Sequence, residues 1–183
     1  VMPVIADFTF RFEIDDSDDG NWEPYQEDLL QCICCAYQTV IQEFFQINTE
    51  TYMELAAVIM ESENHWYEED ESKHQRFMVM SLRIQFPYCK VSVDLQKKII
   101  RPHVIKYLRN KNVMSRFQRQ PTGDWDTIIS NSALTSPVTM YGSNSIPGQP
   151  KLKICHIWQY IPEDELDLSN ERDEISLEDA FIP

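Results

Sequence analysis

The feature that most restricts the fold is an alternation of side chains near the start of the chain. Between residues 3 and 13, Phe8, Phe10 and Phe12 alternate with charged or hydroxylated neighbours. A period of two places successive side chains on opposite faces of a β-strand, so one face of this strand is buried and the other is polar. A second layer of structure must therefore cover the phenylalanine face.

The segment from Tyr25 to Gln46 can supply that layer. Its apolar residues recur every three or four positions, which is the spacing of a long amphipathic helix. A strand with one buried face followed by such a helix predicts an α/β (α+β) domain with helices packed on a sheet. The apolar positions are Leu29, Leu30, Ile33, Tyr37, Val40, Ile41, Phe44 and Phe45.

The periodic patterns of the remaining elements are weaker. We expect the strands that begin at Val4, Phe77, Asp126 and Leu152 to form one mixed, mainly antiparallel sheet. The acidic residues 68–71 are interpreted as a connector. Further predictions are a strand over 55–60, a helix over 102–110, and an antiparallel pair formed by 138–141 and 152–160.

Length and composition predict a single domain without a membrane partner. The 183 residues suit one core, which we place in residues 1–161, and residues 162–183 read as an acidic linker toward a missing downstream part. A 43% hydrophobic content excludes wholesale disorder, and no apolar run approaches the roughly 20 residues of a membrane span. The start at Val1, without a charged leader, suggests an intracellular piece of a larger protein.

Two possible metal signatures are incomplete. Cys32, Cys34 and Cys35 lie in the predicted helix, and their spacing to the four histidines fits no zinc pattern, so buried apolar thiols in a reducing compartment are favoured. The acidic run from Asp15 to Asn21 lacks the glutamate at the twelfth position of a calcium loop and is interpreted as a solvated turn.

Charge is distributed unevenly along the chain. The net charge is −14, but residues 73–153 carry +11 between flanks of −17 and −8. A local basic patch sets the field that a ligand meets, so this segment predicts contact with nucleic acid, although solvated helix surfaces are the simpler alternative. Tyr107 and Phe117 lie among its cations as candidate stacking residues. The candidate contacts are Lys97, Lys98, Arg101, Lys106, Arg109, Lys111, Arg116 and Arg119.

Acids spaced two apart on a strand share a face, the arrangement that holds two divalent ions against a triphosphate. The first strand offers half of this arrangement, since Asp7 is followed by Thr9. Asp124 and Asp126 have the same spacing and could complete a site with Asp7. Asp124 follows a proline and a glycine closely, however, and is more typical of a turn.

Four segments carry a family resemblance. Residues 3–12 (PVIADFTFRF), residues 81–87 (SLRIQFP), the WDT of residues 125–127 and the MYGS of residues 140–143 occur in this order, and a proline-glycine turn and a lysine-bearing strand follow the last of them. The series resembles the archaeo-eukaryotic-type primases at the amino-terminal part of poxvirus-type primase-helicases of large cytoplasmic DNA viruses.

The resemblance implies an archaeo-eukaryotic primase-like sheet with packed helices and a nucleotidyltransferase site. Mg or Mn would be held by Asp7 and Asp126, with Asp124 as a third candidate. Arg83 would belong to the catalytic set. The implied partners are single-stranded or template DNA, nucleoside triphosphates, a helicase part of the same polypeptide and other replisome proteins in the host cytoplasm. The nucleotide-binding residues would be Ser143, Lys151 and Lys153.

Departures from the family pattern fall within the site. Thr9 replaces the second acid and Arg83 replaces a histidine, so Arg83 either holds phosphate or pairs with an acid such as Asp7 and silences the site. Nucleotidyl transfer is therefore expected to be weak or lost. Two alternatives remain open, an active primase-polymerase and a non-catalytic module that docks the helicase or replisome.

Overall fold

The computed structural model describes residues 1–15, 22–48, 50–70, 72, 74–131, 134–135 and 151–160. One sheet contains all six strands found there, in the order β5-β1-β4-β2-β6 with β3 paired to β4, and each pairing is antiparallel. The predicted α+β class is confirmed. The strands are β1 (Met2–Ile14), β2 (Ala57–Ser62), β3 (Trp66–Asp70), β4 (Gln75–Val91), β5 (Ile129–Ser130) and β6 (Leu152–Trp158).

The helices follow the strongest periodic signals. The amphipathic segment forms the long helix α1, and the second predicted helix forms α3, which continues from a π-helical turn. None of the helices in the described residues is long and apolar enough to cross a bilayer. The helices are α1 (Glu27–Phe44), α2 (Val93–Leu95), a π-helix (Gln96–Ile100), α3 (Arg101–Asn110) and α4 (Trp125–Ile128), with 3-10 turns at Met53–Leu55 and Val113–Arg116.

The core lies between the helices and the phenylalanine face of β1. Phe8, Phe10 and Phe12 are fully buried, and the ring of Phe8 meets Tyr37 of α1 edge-on, with ring centres 6.3 Å apart. Burial of each such side chain stabilises the fold by about 1.5–3 kcal/mol. The other side chains of β1, from Asp7 to Glu13, therefore project from the opposite face of the sheet.

The short acidic segments were assigned wrongly. Residues 68–70 are not a connector but part of β3, and Asp126 does not begin a strand but lies in α4. In α4 the buried Trp125 and Ile128 are three residues apart, which matches a helical turn and leaves only Ile129–Ser130 to pair with β1.

Aromatic and cysteine side chains also refine the predictions. Phe117 is not a stacking platform, because it is buried in the core with its ring centre 5.2 Å from that of Phe10. Cys34 is buried as expected, and its thiol pKa is raised mainly by that burial, whereas Cys35 is exposed. The predicted strand over 138–141 lies outside the described residues, as does most of the acidic run 15–21.

Candidate nucleotidyl-transfer site and basic surface

Asp7 and Arg83 are direct cross-strand partners on β1 and β4. The Nε of Arg83 donates to Asp7 Oδ1 at 2.6 Å, and its Nη2 donates to Asp7 Oδ2 at 2.8 Å. The Arg83 side chain is only 4% exposed and that of Asp7 is 22% exposed. This is a bidentate ion pair, the geometry in which a guanidinium group and a carboxylate bind most strongly.

The pair has a direct consequence for metal binding at Asp7. Both carboxylate oxygens already accept a charge-assisted hydrogen bond, and the guanidinium carries a full positive charge at the position that a cation would approach. A divalent ion would have to displace Arg83 or share the carboxylate with it against Coulomb repulsion. Of the two roles weighed for Arg83, the observed geometry is that of the acid partner.

The second acid of the two-metal pattern is missing in space as well as in sequence. Thr9 lies two residues along β1 from Asp7, on the same face, and its cross-strand partner is Ser81. The position therefore presents two hydroxyl groups where the family pattern has a carboxylate. Neutral hydroxyls are weak ligands for a hard divalent ion compared with a carboxylate.

Asp124 and Asp126 form a second acidic group at α4. Asp124 caps the helix, since its Oδ1 accepts from the Thr127 amide at 3.3 Å. Arg109 of α3 donates to Asp124 Oδ2 at 2.7 Å and also to Asp126 Oδ2. Local desolvation opposes ionisation of Asp124, but the bonds from Thr127 and Arg109 outweigh it and lower its pKa, and the Asp126 bond raises the pKa of Arg109.

The two acidic groups lie on neighbouring elements but have different partners. Ser130, four residues after Asp126, is the cross-strand partner of Asp7. Asp7 is bound by Arg83 on the face away from the helices, whereas Asp126 is bound by Arg101 and Arg109 of α3. No group of three or more metal-ligating side chains occurs in the part of the chain that the structure describes.

Two of the three candidate nucleotide residues, Lys151 and Lys153, lie toward the far edge of the sheet. Lys153 is on β6, three strand spacings from β1, or roughly 14 Å. Its ammonium group pairs with Glu63 at 2.6 Å, and the neighbouring Lys151 is exposed. Ser143 falls outside the described residues, so the role of all three side chains stays a prediction.

The basic candidates divide into two sets. Lys98 and Lys106 are exposed, and Lys97 is partly exposed. Arg101 and Arg109, in contrast, are engaged with α4 and β5. The candidate stacking residue Tyr107 has the ammonium group of Lys111 over its ring, 5.9 Å from the centre. Lys98 lies 4.0 Å from Asp94, but its side chain is 75% exposed, so Lys98 and Lys106 are the more accessible of these cations.

Sequence reasoning missed the buried polar residue Gln96, which lies beside the candidate site. Gln96 is only 2% exposed, and its side-chain amide bonds to the free edge of β1. Its Oε1 accepts from the Ile5 amide at 3.1 Å, and its Nε2 donates to the Pro3 carbonyl at 2.9 Å. A lone glutamine beside lysines gives no sequence signal of such a role.

Comparison with known proteins yields one match. The family model described as the C962R protein N-terminal AEP domain, where AEP denotes archaeo-eukaryotic primase, matches residues 1–158. Neither the curated proteins nor the solved structures contain a significant match.

Proposed function

This chain belongs to the family of C962R N-terminal AEP domains, the archaeo-eukaryotic primase domains of viral primase-helicases, and on that premise we propose that it acts in viral DNA replication as a partly degenerate primase module. It binds template DNA and nucleotide, while its own nucleotidyl transfer is weak or lost. Membership of the family supports the primase-like role. The ion pair of Asp7 supports the weak or lost nucleotidyl transfer.

The observation that carries the proposal is the ion pair between Asp7 and Arg83. A two-metal site depends on carboxylates that stabilise the charge of attacking and leaving oxygens. Even one electrostatic contact of this kind is worth roughly 10²–10³ in rate. With Thr9 in place of an acid and Asp7 neutralised by Arg83, two such contributions are weakened together.

Primase-like domains typically use divalent metals, and the residues in place here do not fit a two-metal site. Asp7 is bound by Arg83, while Asp124 and Asp126 are bound by Arg109. Mg or Mn binding by these three acids would require both arginines to move. We therefore assign no reaction step to a metal in this chain.

DNA binding is assigned to the exposed lysines of the π-helix and α3. Lys98 and Lys106 are eight residues apart, about 12 Å along a helix, which is comparable with two phosphate spacings of an extended single strand. Lys97 lies beside Lys98 on the same segment. Lys151 and Lys153, with Ser143, are the candidate contacts for the triphosphate.

The wider assignment follows from the family. Residues 1–161 are proposed as the primase-like domain and residues 162–183 as an acidic linker toward a helicase part of the same polypeptide. Its other partners would be replisome proteins at the viral replication site in the host cytoplasm. A module that docks these proteins without touching DNA is the competing function, and it predicts no affinity for single-stranded DNA.

Primer synthesis on a single-stranded template tests the proposal, with magnesium and manganese supplied in separate reactions. Wild-type protein should give no more product than Asp7→Asn, because Asp7 does not serve as a metal ligand. The double variant Thr9→Asp/Arg83→His restores the family's residue types at two positions and should exceed wild type. Robust synthesis by wild type that Asp7→Asn abolishes would instead establish an active primase-polymerase.

A further inference from the structure

Arg101 lies in the basic segment, but its guanidinium binds backbone. The Nε and Nη2 atoms donate to the Ile129 carbonyl at 3.2 and 3.0 Å, and Nη2 also donates to the Asp126 carbonyl at 2.7 Å. Its Nη1 lies 3.6 Å from Asp126 Oδ1, and the side chain is 18% exposed. Most of its donor capacity is therefore used inside the protein.

The carbonyls that Arg101 binds belong to the junction between α4 and β5. β5 has two residues and pairs with β1 only at Asp7 and Phe8. So short a strand contributes few ladder hydrogen bonds, and isolated pairings of this size are marginal in water. Arg101 supplies the additional bonds that keep Ser130 opposite Asp7.

A small gap lies beside β5. A cavity of about 10 Å³, just enough for one water molecule, lies between β1 and β5, and polar groups of Tyr37, Gln96, Arg101 and Ser130 contribute to its lining. The side chain of Ile129 is buried in the core, so packing restrains β5 on its other side. The bonds from Arg101 restrain the backbone of β5 in addition to that packing.

We infer that Arg101 is a positioning residue that holds β5 beside Asp7 and links this strand to the DNA-binding helix α3, and that it is not a phosphate contact. The inference rests on the proposed function insofar as α3 binds DNA. Lys98 and Lys106 face solvent on the same helical unit, whereas Arg101 reaches β5. A shift of α3 on binding a strand would therefore be transmitted by Arg101 to Ser130.

The role requires a guanidinium and not merely a positive charge. Arg101 reaches two carbonyls and a carboxylate with a rigid, planar set of donors, and the point charge of lysine cannot reproduce that set. A phosphate contact, in contrast, would tolerate lysine. Arg101→Lys therefore separates the two roles, Arg101→Gln removes the charge, and Lys106→Gln is the matched exposed control.

The experiment measures oligo(dT) binding against salt concentration, together with the exchange rate and resonance of the Ser130 amide. Lys106→Gln should lower the log-log salt slope by about 0.7 and leave Ser130 unchanged. Arg101→Gln and Arg101→Lys should keep the slope and accelerate exchange at Ser130. Titration with oligo(dT) should move the Ser130 resonance in wild type but not in Arg101→Lys, although both bind.

The inference is overturned if Arg101→Gln lowers the slope as much as Lys106→Gln does, or if Arg101→Lys restores wild-type exchange at Ser130. Failure of wild type to bind oligo(dT) would remove the proposed DNA role instead. In that case the exchange rates of Arg101→Lys and Lys106→Gln still decide whether Arg101 positions β5.

Discussion

Removing either partner of the ion pair between Asp7 and Arg83 should destabilise the fold, and removing both should cost less than the sum of the two single losses. Asp7→Asn removes the carboxylate charge that binds the guanidinium of Arg83, which is 4% exposed. Arg83→Met leaves the carboxylate of Asp7, which is 22% exposed and can recruit water. The double variant leaves a neutral amide beside an apolar side chain.

The expected magnitudes follow from these exposures. Removing one partner of a buried ion pair costs about 3–5 kcal/mol of unfolding free energy, and Asp7→Asn should lie in that range. Arg83→Met should cost about 1–3 kcal/mol, because Asp7 keeps access to water. The double variant should be less destabilised than the sum by at least about 2 kcal/mol, which is the coupling expected for two groups in direct contact.

Urea unfolding followed by circular dichroism and tryptophan fluorescence measures these differences. A matched control is the pair of Arg11 on β1 and Glu68 on β3, which lie 3.0 Å apart with side chains 42% and 39% exposed. Their coupling energy should be only about 0.2–1 kcal/mol. If the coupling of Asp7 with Arg83 were no larger than that of the control pair, the buried ion pair would not exist in solution as described.

Three further outcomes follow from the geometry. Gln96→Leu removes two bonds to β1 and should lower the unfolding free energy by about 1–3 kcal/mol in a urea titration, whereas the exposed Gln31→Leu should change it little. Because the pKa of Asp124 is lowered in the folded state, its contribution is complete above about pH 4 and lost as the pH falls through the lowered value. The stability difference between wild type and Asp124→Asn should thus be largest near neutral pH and vanish in acid. Burial raises the pKa of Cys89 to about 11, whereas Cys35 is exposed although its pKa is raised as well, so iodoacetamide at pH 8 should modify Cys35 before Cys89, as followed by mass spectrometry, and Cys89 only on unfolding.

The parts of the fold with long periodic patterns could be predicted from the sequence. The phenylalanine alternation of β1 and the apolar stripe of α1 extend over many residues, so the period of each pattern can be recognised in the sequence. Four-residue α4 is shorter than the window in which a helical period can be recognised. The glutamates of β3 predict a connector because they are typical of exposed loops, although they suit an edge strand equally well.

The sequence predicts the residue types of the candidate site but not which of its side chains are in contact. Asp7 and Arg83 are 76 residues apart, and the register that makes them partners arises from the whole β1–β4 pairing. The role of Arg101 depends on backbone carbonyls, which have no sequence signature. From the sequence alone, a cation in a basic segment is therefore predicted to contact a ligand, and only the structure shows that it binds the protein's own backbone.

The central claim, that Arg83 prevents Asp7 from holding a divalent ion, is tested most directly by manganese binding measured with electron paramagnetic resonance. Wild type and Asp7→Asn should bind manganese equally weakly, while Thr9→Asp/Arg83→His should bind more tightly and lose that gain when Asp7 is also replaced by asparagine. Manganese binding by wild type that disappears in Asp7→Asn would contradict the claim.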